Sequence, residues 1–303
     1  MILLTGGTGF LGSRLLEKLI KQNEEVLCVK RSTSKLDKVE HIKEMCKWVD
    51  FDKNSMKEIF EKYDIHGVIH CATTYDRTGA ETLKVYESNL QLPLTLFQYA
   101  CEKECKFFLN TGSFYEREVN VIWNEPKELY MDSYVKSKYI FRNIAKDISD
   151  KCDMVFVNLQ LEHIYGTLDS PKKFVPFVIR SLVDNVEQIK LSSGVQMRDW
   201  IYIDDVVDAY ICVLNNIKRM ESGYHSFEVG TGEMTSLRDF VISAKEITNS
   251  KTKLCFGETA IKNGELMRSC ADVTELCGMG WKPQYNIEKG IQKILREIQN
   301  GSF

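Results

Sequence analysis

Residues 5–12 read TGGTGFLG. Gly6, Gly9 and Gly12 fall three apart, between the apolar run MILLT and a segment, Phe10 to Asn23, in which Phe10, Leu11, Leu15, Leu16, Leu19 and Ile20 share one side of a helix. A strand that turns through glycines into a helix gives this spacing a mechanism. Glycine permits the tight turn, lets the backbone approach a pyrophosphate and lets helix pack on strand, while the free N–H groups of the first helical turn face the phosphates. The stretch predicts a dinucleotide site lined by Gly6, Thr8, Gly9, Phe10, Leu11 and Gly12. The simpler alternative is a tight turn that holds no ligand.

Outward from this turn, EVLCVK (25–30) reads as a second strand, Cys46 to Val49 as a third, and GVIHC (67–71), KFFLN (106–110) and MVFVNL (154–159) as three more, most of them separated by helical stretches. Strands and helices alternating at this interval predict an α/β fold, a doubly wound parallel sheet of the Rossmann type with crossover helices on both faces. Beyond about residue 160 the rhythm changes. Helices expected at 173–184, 204–217 and 236–246 alternate with short apolar pieces, WIYI (200–203) and YHSFEVG (224–230). The expected division is a dinucleotide-binding domain at 1–160, with returns near 200–215 and 226–231, and a smaller interleaved lobe, mainly 161–303, that binds substrate.

A chain of 303 residues suffices for one large domain or two modest ones. With 44% hydrophobic and 27% charged residues and a formal net charge of -3, it offers no overall attraction to nucleic acid or anionic membrane. No apolar stretch reaches the roughly 18 residues of a membrane span, and the start lacks a signal peptide's basic flank, so a cytoplasmic protein is expected. The ten cysteines are scattered. Cys101 and Cys105 have no second pair or histidine at zinc spacing, so reduced thiols and no metal are expected.

The second strand ends in Lys30, Arg31 and Ser32, where an NAD site ordinarily places an acid for the ribose 2'-hydroxyl. Cations and a hydroxyl there suit a 2'-phosphate, so NADP(H) is favoured, with NAD(H) possible. Asp50 and Phe51 after the third strand are candidates to cover the adenine. Cys71, Ala72 and Thr73 after the fourth are candidates to line the cofactor's path.

In DSYVKSK (132–138), Tyr134 and Lys138 stand four apart and so share one helical face. With TGGTGFLG, VIHCA at 68–72, NTGSFY at 110–115 and YVKSK at 134–138, the chain resembles the extended short-chain dehydrogenase/reductases, the NAD(P)-dependent nucleotide-sugar epimerase/dehydratase group. The resemblance implies that Tyr134 is the general acid/base, that Lys138 lowers its pKa and binds the nicotinamide ribose, and that Thr111 holds the substrate oxygen. A nearby ammonium favours phenolate and so draws a pKa near 10 toward the working range. Ser113 is placed against the substrate as well.

Landmarks of the same group continue in QMRDWIYIDDVVDAY (196–210), FEVGTGE (227–233) and GMGWKPQY (278–285), where such proteins hold a nucleotide-diphosphate sugar. By this resemblance Arg198 meets the diphosphate or base, Lys262 and Glu265 the nucleoside, and His163 the sugar phosphates or a pocket wall. Lysine at 262 in place of arginine forfeits bidentate geometry. Gly112 and Ser113 follow Thr111 where nucleotide-sugar 4,6-dehydratases carry an Asp-Glu pair, so elimination lacks its acid and base.

Within the group, FLNTGSFY, FVNLQLEHIYG (156–166), RDWIYIDDVV and MGWKP look most like synthases of the CDP-abequose and CDP-paratose type. The implied reaction is NADPH-dependent reduction of the C4 ketone of a CDP- or dTDP-linked 4-keto-6-deoxyhexose, in deoxysugar synthesis for a surface lipopolysaccharide O-antigen. An NAD-dependent 4-epimerase and a non-catalytic NADP(H)-binding regulator are the alternatives. The resemblance also implies a homodimer that pairs helices around 81–103 and 132–149.

Overall fold

The computed structural model describes residues 1–76, 80–117, 132–261 and 264–301. Its strands are β1 (Ile2–Thr5), β2 (Val26–Lys30), β3 (Lys47–Asp50), β4 (Gly67–His70), β5 (Phe107–Ser113), β6 (Val155–Leu161), β7 (His163–Tyr165), β8 (Gln188–Leu191), β9 (Met197–Tyr202), β10 (Gly223–Val229), β11 (Met234–Ser236), β12 (Lys253–Phe256) and β13 (Arg268–Ser269). Its helices include α1 (Phe10–Lys21), α2 (Met56–Lys62), α3 (Thr82–Tyr86), α4 (Leu92–Glu102), α5 (Ser133–Ser149), α6 (Phe174–Val183), α7 (Ile203–Asn216), α8 (Leu237–Thr248), α9 (Thr274–Gly278) and α10 (Ile287–Gln299).

Seven strands form one sheet in the order β10-β6-β5-β4-β1-β2-β3. The pairs β1–β2, β1–β4, β2–β3 and β4–β5 are parallel, as strands joined through crossover helices must be. Strands β1, β4, β5 and β6 are buried along their whole length, which is why ILL, VI, FFL and VFV within them show no apolar–polar alternation.

Two compact units divide the described chain, one of residues 1–117, 132–160 and 210–227, the other of 161–209 and 228–301. Of WIYI, Trp200–Tyr202 belong to β9 at the centre of a four-stranded sheet in the second unit and Ile203 opens α7, whereas YHSFEV belongs to β10 of the seven-stranded sheet. The first unit's core holds Phe97 of α4, Phe108 of β5, Phe141 of α5 and Phe156 of β6, all fully buried, with Phe97 5.0 Å from both Phe108 and Phe156. Each such side chain contributes about 2 to 3 kcal/mol by burial, so this cluster is what fixes α4 and α5 against the sheet.

Local signals set the element ends. Ser55 and Glu58 form a reciprocal capping box at α2, and Asp132 caps α5 through the Val135 N–H at 2.9 Å. Between α3 and α4 the chain makes a π-helical turn, Glu87–Gln91, which carries the buried Asn89.

Candidate active site

At the end of β1, Gly6 has φ of +73°, open to glycine at little cost. A Cβ on Gly12 would lie 2.1 Å from the Gly6 carbonyl oxygen, so the helix starts close upon the turn only because position 12 has no side chain. Gly9 caps α1 with no side-chain bond, and no acidic residue stands in its first turn. Amide groups at the start of a helix thus have no carboxylate competing for them, a cradle that fits a pyrophosphate. The turn is tied to the end of β4: Thr5 Oγ1 bonds His70 Nδ1 at 2.8 Å and accepts from the Ala72 N–H, and the Cys71 N–H donates to the Thr5 carbonyl. Burial pushes the Cys71 thiol up to about 11, so it is a neutral group beside this turn. Sequence reasoning missed Asn89, whose amide carbonyl accepts from Thr73 Oγ1 and the Thr74 N–H and whose NH2 donates to the Thr74 carbonyl.

The end of β2 differs from expectation. Lys30 and Asp50 are register partners on adjacent parallel strands, and their side chains form an ion pair at 2.5 Å. Asp52 accepts the Ser32 N–H at 2.8 Å and the Ser32 hydroxyl at 2.5 Å, and these bonds hold its carboxyl below the usual range. Two of the donors assigned to a 2'-phosphate are therefore occupied by carboxylates, and Asp50 neutralises Lys30. Arg31 is exposed, and Phe51 packs against the core cluster. A cavity of about 410 Å³ beside them is lined by Lys30, Trp48, Asp50 and Tyr63, among others.

Tyr134 and Lys138 lie one turn apart on α5 and are 6% and 2% exposed. Lys138 Nζ donates to the Thr111 carbonyl at 2.6 Å, and burial pulls its ammonium down to about 8 against the attraction of Glu116. Contrary to the sequence reading, the Tyr134 phenol sits well above its ordinary value. Burial is the main cause, with Tyr75 adding to it, and Lys138 is not among the main influences. The tyrosine is a protonated phenol throughout the neutral range.

Thr111 is engaged by its neighbours on β4 and at Tyr210. Its hydroxyl donates to the His70 carbonyl at 2.8 Å and shares a 2.6 Å bond with Tyr210, which fastens β5 to its surroundings. Ser113, two residues on, is the hydroxyl whose influence opposes the rise at Tyr134, and its Oγ accepts the Tyr115 N–H at 3.3 Å. Ser113 is held in turn by Glu116, fully buried, whose Oε1 accepts the Ser113 N–H at 2.8 Å while Oε2 accepts Asn158 Nδ2 at 2.9 Å, with Arg142 3.8 Å away. A Cβ on Gly112 would meet Asn158 Oδ1 at 2.7 Å and Glu116 Oε1 at 2.9 Å. A side chain there would have to displace the bonded ends of Asn158 and Glu116.

In the second unit, Arg198 donates to its neighbour's carbonyl at Met197 and pairs with Glu265 at 3.3 Å. His163 bonds the buried Glu162 at 3.3 Å and meets Trp200 edge-on, and burial lowers its pKa, so it is a neutral ring. Ser269 donates to both oxygens of Glu162. Lys262 lies outside the described residues. Asp199, not singled out in the sequence, accepts from the backbone of Thr231, Gly232 and Ala271 and so anchors the GTGE loop. An acid inside a buried strand was the available signal, because such a charge must find several donors.

A profile of the NAD dependent epimerase/dehydratase family matches residues 2–230. The chain is similar to a CDP-abequose synthase of Salmonella muenchen, 34% identical over 295 residues and covering 97% of this chain and 96% of that one. A CDP-abequose synthase of Salmonella typhimurium is 31% identical, with 98% of each chain covered. Among solved structures, a Thermotoga maritima UDP-glucose 4-epimerase with UDP-glucose superposes with a TM-score of 0.84 over 99% of both chains at 21% identity, a likeness of fold.

Proposed function

The chain belongs to the NAD dependent epimerase/dehydratase family and is an NAD(P)-dependent oxidoreductase-type enzyme, and from that premise we propose that it reduces the C4 ketone of a nucleotide-linked 4-keto-6-deoxyhexose. When bound in the glycine cradle, NADPH supplies the hydride. Tyr134 donates its proton to the ketone oxygen, Ser113 orients that oxygen, and Lys138 holds the ribose beside the Thr111 carbonyl. Arg198, with Glu265, meets the nucleoside diphosphate, and the chain acts in the cytoplasm.

One observation carries the reading: Tyr134 is buried, its phenol is held in the protonated form, and its Oη accepts the Tyr75 O–H at 3.1 Å, so its own proton is available to an oxygen that gains charge. Full-length similarity to two CDP-abequose synthases supports a CDP-sugar as the substrate. NADPH as the preferred form rests on Arg31, and on the Asp50 and Asp52 carboxylates giving up Lys30 and Ser32. Exposed Leu83, Ile140 and Ile144 on α3 and α5 support a homodimer through those helices.

The test is to supply CDP-4-keto-6-deoxyglucose and NADPH and follow loss of the reduced nicotinamide. Stoichiometric oxidation with a C4 alcohol as product is expected, and Tyr134→Phe should lose it about 10³-fold while still binding NADPH. Isomerisation of a nucleotide sugar by protein that retains NAD through purification, with no added cofactor, would replace the reductase by an epimerase.

A further inference from the structure

Tyr134 is only 6% exposed, yet a proton donor must be reprotonated once per turnover. The groups that bond or polarise its hydroxyl are Ser113, Glu116 and Tyr75, with Lys138 one turn along the helix. Ser113, Glu116 and Lys138 are 5%, 0% and 2% exposed, and none of them meets bulk solvent. Tyr75, on the loop after β4, is 54% exposed. Its ring stacks on Tyr134 with centroids 4.2 Å apart and planes 22° from parallel, and its hydroxyl donates to Tyr134 Oη at 3.1 Å. Packing alone would explain the stack. It does not explain an exposed phenol whose O–H is aimed at the buried one.

We propose that Tyr75 is the proton relay of this site, conducting protons between solvent and the Tyr134 hydroxyl. This rests on Tyr134 being the proton donor. Because Tyr75 donates to Tyr134 Oη, the Tyr134 proton is free to point at the substrate oxygen. When Tyr134 gives that proton up, its O–H pair stays on Oη as phenolate. The Tyr75 O–H, already bonded to that oxygen, stabilises the charge and then transfers its proton across the same bond. Water returns a proton to Tyr75, and hydroxide is left in bulk. One proton enters from solvent for each one delivered to substrate.

The experiment needs no sugar. In protein labelled with carbon-13 at tyrosine Cζ, in equal parts H2O and D2O, the Tyr134 resonance (identified by its loss in Tyr134→Phe) gives one averaged line if its hydroxyl exchanges quickly and two if it exchanges slowly. One line is expected for the native chain and two for Tyr75→Phe, which keeps the stacked ring and removes the hydroxyl. Tyr75→Ala, which uncovers Tyr134 to water, should restore a single line. A packing role predicts the reverse ranking, with Phe harmless and Ala damaging. Two lines in the native chain, or one line in Tyr75→Phe, overturns the relay. In the ketone assay Tyr75→Phe should lower kcat about tenfold, with a larger solvent isotope effect and unchanged KM for NADPH. Absence of ketone reduction by the native enzyme would count against the proposed reaction alone, because the exchange readout stands without it.

Discussion

The glycine turn after β1 and the hydroxyl centre at the end of β5 belong to one sheet, but different penalties govern them. At the turn the controlling quantity is space. Gly12 is fixed by a backbone oxygen that a Cβ would reach at 2.1 Å, and no charge is involved. At the end of β5 the controlling quantity is hydration, with Tyr134, Lys138 and Glu116 all removed from water and each shifted toward its neutral form. A steric site tolerates no larger residue and has a readable pattern. An electrostatic site can keep its residues and still change its chemistry as its surroundings change.

The contrast is tested most severely at Gly12. Alanine there forces backbone apart in a region with no flexible side chain to yield, so Gly12→Ala should cost about 3 kcal/mol of stability and at least about a hundredfold in cofactor affinity. Urea denaturation and nicotinamide fluorescence titration read the two effects. A variant that folds and binds like the native chain would remove the steric account.

Lys138 sharpens the comparison with the opposite sign. Its ammonium is held at about 8 against an ordinary 10.5, a penalty on the order of 3 kcal/mol at neutral pH. Lys138→Met should therefore abolish activity while raising stability by about 1 to 3 kcal/mol. Between about pH 8 and 10.5 the unfolded chain holds a proton at Lys138 that the folded chain lacks, so native stability rises with pH there. The advantage of the methionine variant must shrink across that window and stay constant below it. Denaturation midpoints of both proteins over that range decide the point, and a gap that widens with pH would contradict it.

The smallest effect belongs to the exposed rim of the cofactor region. Asp52→Asn removes the charge that occupies the Ser32 N–H and hydroxyl, and should tighten NADPH about fivefold, near 1 kcal/mol, with little change for NADH. Equal effects on both cofactors would show that Ser32 does not meet a 2'-phosphate.

Element order and the cofactor turn were legible because they depend on local geometry. Helical and strand periods, capping residues and glycine spacing act over a few positions, and β1, α1, β4, β5 and α5 lie where those signals put them. The third strand shifted by one residue, to Lys47–Asp50, and that shift set Asp50 opposite Lys30. No reading of the second strand alone could find the resulting ion pair. The hydroxyl centre was legible in part. Tyr134 and Lys138 are separated by one helical turn, which spacing supplies. Ser113 and Thr111 stand two apart on β5, so spacing cannot say which one serves Tyr134; in the fold Tyr210, 99 residues away, holds the Thr111 hydroxyl.

By itself the sequence determined the doubly wound sheet, the glycine cradle and the pairing of a tyrosine with a lysine on one face of α5, since each follows from repeats of two to four residues. Only the tertiary structure decided that Tyr210 takes the Thr111 hydroxyl, that Tyr75 covers Tyr134, and that burial raises the phenol's pKa where the sequence implied a lowering. Those outcomes depend on contacts across tens of residues and on the exclusion of water, and neither exists until the chain has folded.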